Sequence, residues 1–367
     1  MESHDEIRSR DAAELAALAP PVRRAAYSDR TAWLMATLAE LAYIRFETSP
    51  LSDLTELAED LAKASSASEI VARLSSLEQL LTSGPSDGED VLRTILATAE
   101  FELIGTFYNR SLDPLKNTEG FVARRQKGDD RDFIVIAIRG TTSVQDWMNN
   151  AKAGTESIGG GRRVHKGFHQ AYLDAKPQID ALIEQARSTT LPIFVTGHSL
   201  GGAVAVMSTW YLRRDLLSAC YTFGAPRVGN HTFNDSFHTP IYRVVNAFDP
   251  VPLVPPSEIW IEGLKIVLGV TGKLVGGGVV DWIISALLKV QGYRHAGDLR
   301  HMTSGTMADD GTYPTVKFYT HFGVADRLVR LWHQIKAGKL KRLDTYHSMT
   351  IYRRKLRSRA LARKPNT

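Results

Sequence analysis

Gly197-His198-Ser199-Leu200-Gly201 has residue types and spacing that could make a nucleophile. The stretch fits G-x-S-x-G, a tight strand-to-helix turn that holds a serine hydroxyl exposed on a strained backbone. Glycine suits both ends, because a β-carbon at either would crowd the turn. A helix starting beyond Ser199 would bring backbone N–H groups to where an oxyanion forms. A serine hydroxyl is a weak nucleophile at neutral pH. It needs a histidine base, and the base needs a carboxylate to fix its tautomer. Around such a turn the three groups follow in the order serine, acid, histidine, the acid and base on loops beyond the carboxyl ends of strands. Asp249 is the best acid: it follows the strand expected over 242–246 and opens the proline-stiffened stretch Asp249-Pro250-Val251-Pro252. The alternative is an aspartate used only as a turn former before Pro250. His295, His301, His321, His333 and His347 all follow Asp249, and spacing does not choose among them.

These groups must be positioned by the elements around them. Residues 193–195 form an apolar run that reads as a buried strand, and 203–207 can begin a packed helix. Residues 132–138, apolar throughout after Asp132, read as a strand buried on both faces. Further strands are expected over 101–108, 120–125, 219–223 and 241–246. A helix is expected over 167–187, broken or restarted at Pro177. Residues 11–99 read as helices. Ser28 caps the first, with Leu34, Leu38 and Leu41 on one face; Ser52 caps the second, and a third spans 70–81. Strands alternating with helices predict an α/β fold with a mostly parallel central sheet covered by helices.

Composition removes other classes. A chain of 367 residues, 43% hydrophobic and 23% charged, can bury a core that needs no disulfide or metal staple. Its single cysteine, Cys220, has no intramolecular partner. A net charge of +5 is no nucleic-acid signature, and no nucleic-acid partner is expected. The basic residues of 353–367 read as a solvated helix end and frayed tail, or as a contact with an anionic membrane. The charged start, without an apolar run behind it, predicts a cytoplasmic protein or one exported without a signal peptide. No segment reads as a membrane span. His165 and His169 have metal-ligand spacing, but Gly167 lies between them and the metalloprotease glutamate is missing, so both are expected to be structural. Leu274 after Gly272-Lys273 rejects a phosphate-binding loop. Nothing implies a metal or organic cofactor.

An ordered set of motifs then carries a resemblance. Thr196-Gly197-His198-Ser199-Leu200-Gly201-Gly202 resembles the nucleophile motif of the class 3 lipases, the fungal triacylglycerol lipase-like branch of the α/β hydrolases. Ile138-Arg139-Gly140-Thr141-Thr142-Ser143 with Asp146-Trp147 resembles that family's oxyanion strand and loop. Val164-His165-Lys166-Gly167-Phe168 resembles its V-H-x-G-F segment, and 221–230 its strand and loop after the nucleophile helix. Asn246 with Asp249 resembles its acid loop, and His347-Ser348-Met349 with Tyr352 its C-terminal base segment.

The resemblance implies an α/β-hydrolase fold with Ser199 as nucleophile, Asp249 as acid and His347 as base. His295 is then a structural histidine near the site. The oxyanion hole implied is the backbone N–H of Leu200 and of Thr141. His198, Trp147 and Trp282 are expected to contact the substrate. The activity implied is cleavage of acyl glyceride esters, with phospholipase A1, including one exported as a toxin, and a short-chain carboxylesterase as alternatives. A lipase-like binding protein with a vestigial triad is the rival outside the enzymes. The partners expected are the ester substrate and a transient lipid interface. Three parts follow: an N-terminal helical extension over 1–100, a catalytic domain over 101–352 and a basic tail over 353–367. One departure stands out: where the family carries an apolar lid, 148–163 is polar and glycine-rich. The apolar stretch 276–288, with Trp282, Ile283 and Leu287, could wall the acyl site or touch lipid, or form a packed core helix.

Overall fold

A computed structural model describes residues 13–14, 26–44, 87–109, 118–125, 132–140, 154–186, 191–212, 217–255, 292–309, 311–321 and 343–362. The helices expected around Ser52 and over 70–81 lie outside them, as does the apolar stretch 276–288.

The chain begins its described core with helix α1 (Asp29–Leu41). Ser28 caps it as expected, its hydroxyl accepting from the Thr31 N–H at 3.3 Å. Helix α2 (Asp87–Thr98) leads into strand β1 (Phe101–Asn109), which pairs antiparallel with β2 (Thr118–Arg125), and β2 pairs antiparallel with β3 (Ile134–Ile138). A hairpin of β4 (Thr155–Ser157) and β5 (Arg163–His165) follows, then the long helix α3 (Lys166–Ala186). Next come β6 (Ile193–His198), helix α4 (Leu200–Tyr211), β7 (Leu217–Phe223), the short α5 (His231–Asn234) and β8 (Ile241–Asn246). Strands β9 (Asp298–Met302) and β10 (Phe318–Tyr319), and helices α6 (Leu343–His347) and α7 (Met349–Ala362), complete the described chain.

Among the described residues the main sheet runs β1-β2-β3-β6-β7-β8-β9-β10. From β3 to β9 every neighbouring pair is parallel. The apolar run that predicted β3 explains its place: Ile134, Ile136 and Ile138 pack into one core with α3 and α4, while Val135 and Ala137 pack into the other with α1 and α7. Strand β6 divides the same way, with Phe194 on the α1 side and Ile193 and Val195 on the α4 side. Parallel strands all present their carboxyl ends at one edge, and Ser199 and Asp249 follow the ends of β6 and β8 there.

Two expectations change. Pro177 neither breaks nor restarts α3, which runs through it unbroken. The carbonyl its missing N–H leaves unpaired belongs to Leu173, which is exposed, so water can satisfy it. The basic tail is, as far as Ala362, the body of α7. Arg353 and Lys355 are 1% exposed and Leu356 and Ala360 fully buried, because this helix packs along α1 as the second layer over the sheet. Arg353 pairs with the buried Glu40 of α1, which also accepts from Thr350 Oγ1 at 2.7 Å. Arg357 pairs with Glu14 and Arg359 with Asp29, so α7 spends its charge on the N-terminal segment.

Candidate active site

Ser199 stands between β6 and α4 with φ 57° and ψ −128°. A positive φ is costly for a residue with a β-carbon, and such strain persists only where the surroundings fix it. The glycines do that here. A β-carbon on Gly197 would lie 2.3 Å from the Gly201 carbonyl oxygen, and one on Gly201 would lie 2.3 Å from that of Ile138. The turn is therefore closed onto the neighbouring strand end. Leu200 opens α4, so its N–H is among the helix's first four donors, which have no acceptor within the helix. Together with the positive end of the helix dipole, it can receive a developing oxyanion.

Asp249 follows β8 on a tight corner. Ala247 there takes φ 41°, and His301 Nε2 donates to the Ala247 carbonyl at 3.0 Å. The Asp249 carboxylate is buried and fully occupied. Oδ1 accepts from the Val251 N–H at 2.9 Å, Oδ2 accepts from the Tyr352 hydroxyl at 2.6 Å, and both oxygens lie 2.9 Å from His347 Nδ1. Arg227 stiffens the loop beyond by donating to the carbonyls of Leu253 and Pro255. A carboxylate facing Nδ1 makes that nitrogen the donor, which leaves Nε2 as the basic one. His347 Nε2 is buried and has no hydrogen-bond partner, and Ser199 and His347 share no hydrogen bond. Nucleophile–base contacts are often long before substrate arrives.

The acid and base leave room for no side chain between them. Gly224, just past β7, has φ 58°. A β-carbon there would lie 2.6 Å from Asp249 Oδ2 and 3.1 Å from the His347 ring. Behind Asp249 a second layer repeats the pattern. The Asn246 N–H donates to the Tyr352 hydroxyl at 2.9 Å, and Asn246 Nδ2 donates to the Tyr346 carbonyl at 2.7 Å. Lys355 Nζ in turn donates to Asn246 Oδ1 at 2.7 Å. Nothing in the residue types alone pointed to Lys355.

The other histidines are engaged elsewhere. His295 Nε2 donates to the Pro252 carbonyl at 2.7 Å, and the exposed His321 sits 3.0 Å from the Thr320 hydroxyl. His333 lies outside the described residues. His165 stacks on Phe168, while His169 is held between Glu156 and the Tyr211 hydroxyl.

His198 corrects an expectation. It is 5% exposed and both ring nitrogens are committed to protein atoms, so the ring has no polar face for a substrate. Burial, and then the neighbouring His347, push its pKa well below the usual histidine value, keeping it neutral. Thr141, Trp147 and Trp282 lie outside the described residues. Of the expected lid region, 154–163 forms β4 and the turn into β5, with Gly159, Gly160 and Gly161 all at positive φ.

A strained serine at a parallel-sheet edge, with a histidine held by a buried carboxylate at the end of α6, is the arrangement that serine-type α/β hydrolases use. Residues 135–259 match the class 3 lipase family. The chain is 33% identical over 184 residues to a secreted mono- and diacylglycerol lipase of Fusarium solani, which covers 42% of this chain and 55% of that protein. It is 34% identical over 174 residues to a lipase of Rhizomucor miehei, covering 44% and 46%. A chloroplastic phospholipase A(1) of Arabidopsis thaliana is 27% identical over 168 residues, covering 37% and 38%. The chain thus spans about half the length of the first curated relatives it matches. Among the described residues no helix is long and apolar enough to cross a membrane.

Proposed function

We propose that this protein is a carboxylic ester hydrolase acting on acyl glycerides through an acyl-enzyme on Ser199. His347 Nε2 takes the Ser199 proton as the oxygen attacks the ester carbonyl, and Asp249 holds Nδ1–H and stabilises the imidazolium. The tetrahedral oxyanion rests on the N–H groups of Leu200 and Thr141. His347 then protonates the leaving alcohol, and a water activated by the same nitrogen releases the fatty acid. The observation that carries this reading is the 2.9 Å contact of His347 Nδ1 with both Asp249 oxygens, with Nε2 left open. The lipases among the relatives support glycerides as the substrate class. The phospholipase A(1) among them supports a second reading in which the glyceride carries a phosphate head group.

The test is a panel of tributyrin, triolein, diolein and dioleoyl phosphatidylcholine, assayed above and below each substrate's aggregation point, with Ser199→Ala as control. Release of fatty acid from the neutral glycerides, abolished in Ser199→Ala, supports the reading. Preference for the phosphatidylcholine supports the second. Turnover that survives Ser199→Ala refutes both.

A further inference from the structure

We infer that Tyr43 is a positioning residue of this site, its hydroxyl packed against Gly140 beyond β3 and hydrogen-bonded through His198 of the nucleophile turn to the base segment. The inference rests on the hydrolase reading above. Tyr43 lies two residues beyond the end of α1, remote in sequence from every motif that carried the family resemblance. Its hydroxyl is 2.7 Å from His198 Nδ1, and His198 Nε2 is 2.7 Å from the His347 carbonyl oxygen.

The direction of each bond follows from chemistry. A carbonyl oxygen can only accept, so His198 Nε2 carries the hydrogen. The ring is neutral, so Nδ1 is a bare acceptor and Tyr43 O–H donates to it. The same hydroxyl packs against the Gly140 backbone, 2.7 Å from where a β-carbon on that residue would lie. Burial pushes the Tyr43 hydroxyl far above its ordinary value, so it stays protonated and remains a donor. The chain therefore runs from Tyr43 O–H to His198 Nδ1, and from His198 Nε2–H to the His347 carbonyl.

Each end of this chain adjoins a reacting group. Gly140 lies two residues beyond β3, immediately before Thr141, the expected second oxyanion donor. Its own backbone is pressed onto the turn: a β-carbon there would lie 3.0 Å from Ser199 Cβ and 2.7 Å from the Tyr43 hydroxyl. His198 immediately precedes the nucleophile, and His347 is the base. The rings of His198 and His347 pack with centroids 4.5 Å apart. One phenol thus sets the spacing of three catalytic segments, from an N-terminal helix that holds none of them. A positioned site loses rate steeply with small displacements, about 100-fold for an ångström.

The test compares Tyr43→Phe, His198→Phe and the double variant with wild type on p-nitrophenyl butyrate, with thermal unfolding measured alongside. We expect Tyr43→Phe to lower kcat about 10- to 100-fold at a temperature where it is fully folded, with KM within about twofold. The double variant should lose no more than the worse single, because both substitutions cut the same chain. A Tyr43→Phe kcat within twofold of wild type overturns the proposal, and so do additive losses. A second readout needs no variant: 15N-histidine spectra of wild type should show His198 as the neutral Nε2–H form at a pH where an ordinary histidine is largely protonated. An Nδ1–H tautomer, or titration of His198 near its ordinary value, overturns the proposal as well. Absence of any wild-type ester turnover would instead strike the hydrolase reading, and the tautomer measurement stands apart from it.

Discussion

Replacing Lys355 by methionine tests the layer behind the acid. Lys355 is 1% exposed, its Nζ donating to Asn246 Oδ1 at 2.7 Å and to the Thr303 carbonyl at 2.8 Å, with the Tyr313 ring 5.4 Å away. Burial lowers its pKa from 10.5 to about 7. Between those values the unfolded chain binds one more proton at this residue than the folded chain, so stability rises with pH. The slope is about 1.4 kcal/mol per pH unit. From pH 7 to pH 9 this group alone adds roughly 2 kcal/mol to the wild type, whereas well below pH 7 both states are protonated and its penalty is complete. Lys355→Met has no such group. It leaves Asn246 Oδ1 and the Thr303 carbonyl without their donor, at about 1–3 kcal/mol each, a cost that does not depend on pH in this range. Urea unfolding of both proteins at half-unit steps from pH 6 to pH 9 isolates the difference, since all other groups cancel. The wild-type curve should climb relative to the variant by roughly 2–3 kcal/mol above pH 7. Parallel curves would refute the claim that the lysine is held neutral in the fold.

Three further outcomes follow from the geometry. Gly224→Ala should cut ester turnover about 100-fold and stability by about 1–3 kcal/mol, because the new methyl meets the Asp249 carboxylate at a positive φ; wild-type turnover would contradict this. Glu40→Ala removes the buried carboxylate that pairs with Arg353 and should cost about 3–5 kcal/mol by denaturant unfolding, with Glu40→Ala/Arg353→Met recovering much of it; equal stability of the two variants would count against a paired, buried charge. Ser199→Gly should abolish turnover yet raise stability by about 1 kcal/mol, since glycine tolerates φ 57° without strain; a lower melting temperature would contradict the strained turn.

How much of this was legible in the sequence depends on whether local pattern or tertiary approach decides the feature. The nucleophile turn was legible because strand, glycine pair and helix are consecutive, and β3 because five apolar residues in a row leave no solvent face. Asp249 was legible from its place after an expected strand and before a proline-stiffened loop. Its histidine was not, because contact across 98 residues is set by how α6 and α7 return to the sheet. Only the resemblance singled out His347. Tyr43 and Lys355 carry no local signal at all: the first meets His198 across 155 residues and the second meets Asn246 across 109. The arginines of α7 misled because composition counts charge and does not see Glu40, Glu14 and Asp29 arriving from the N-terminal segment. Pro177 misled because the rule against proline in a helix weakens where the freed carbonyl faces water.

The central claim is that the Ser199 hydroxyl is activated by His347 held on Asp249. The most direct measurement is peptide mass mapping after treating the whole protein with a fluorophosphonate, which transfers its phosphonyl group to an activated serine oxygen with loss of fluoride. The account predicts one adduct per chain, on the peptide containing Ser199, absent in Ser199→Ala and formed at least about 100-fold more slowly in Asp249→Asn and His347→Ala. An unlabelled wild type, an adduct on another serine, or undiminished labelling of the Asp249 and His347 variants would contradict it.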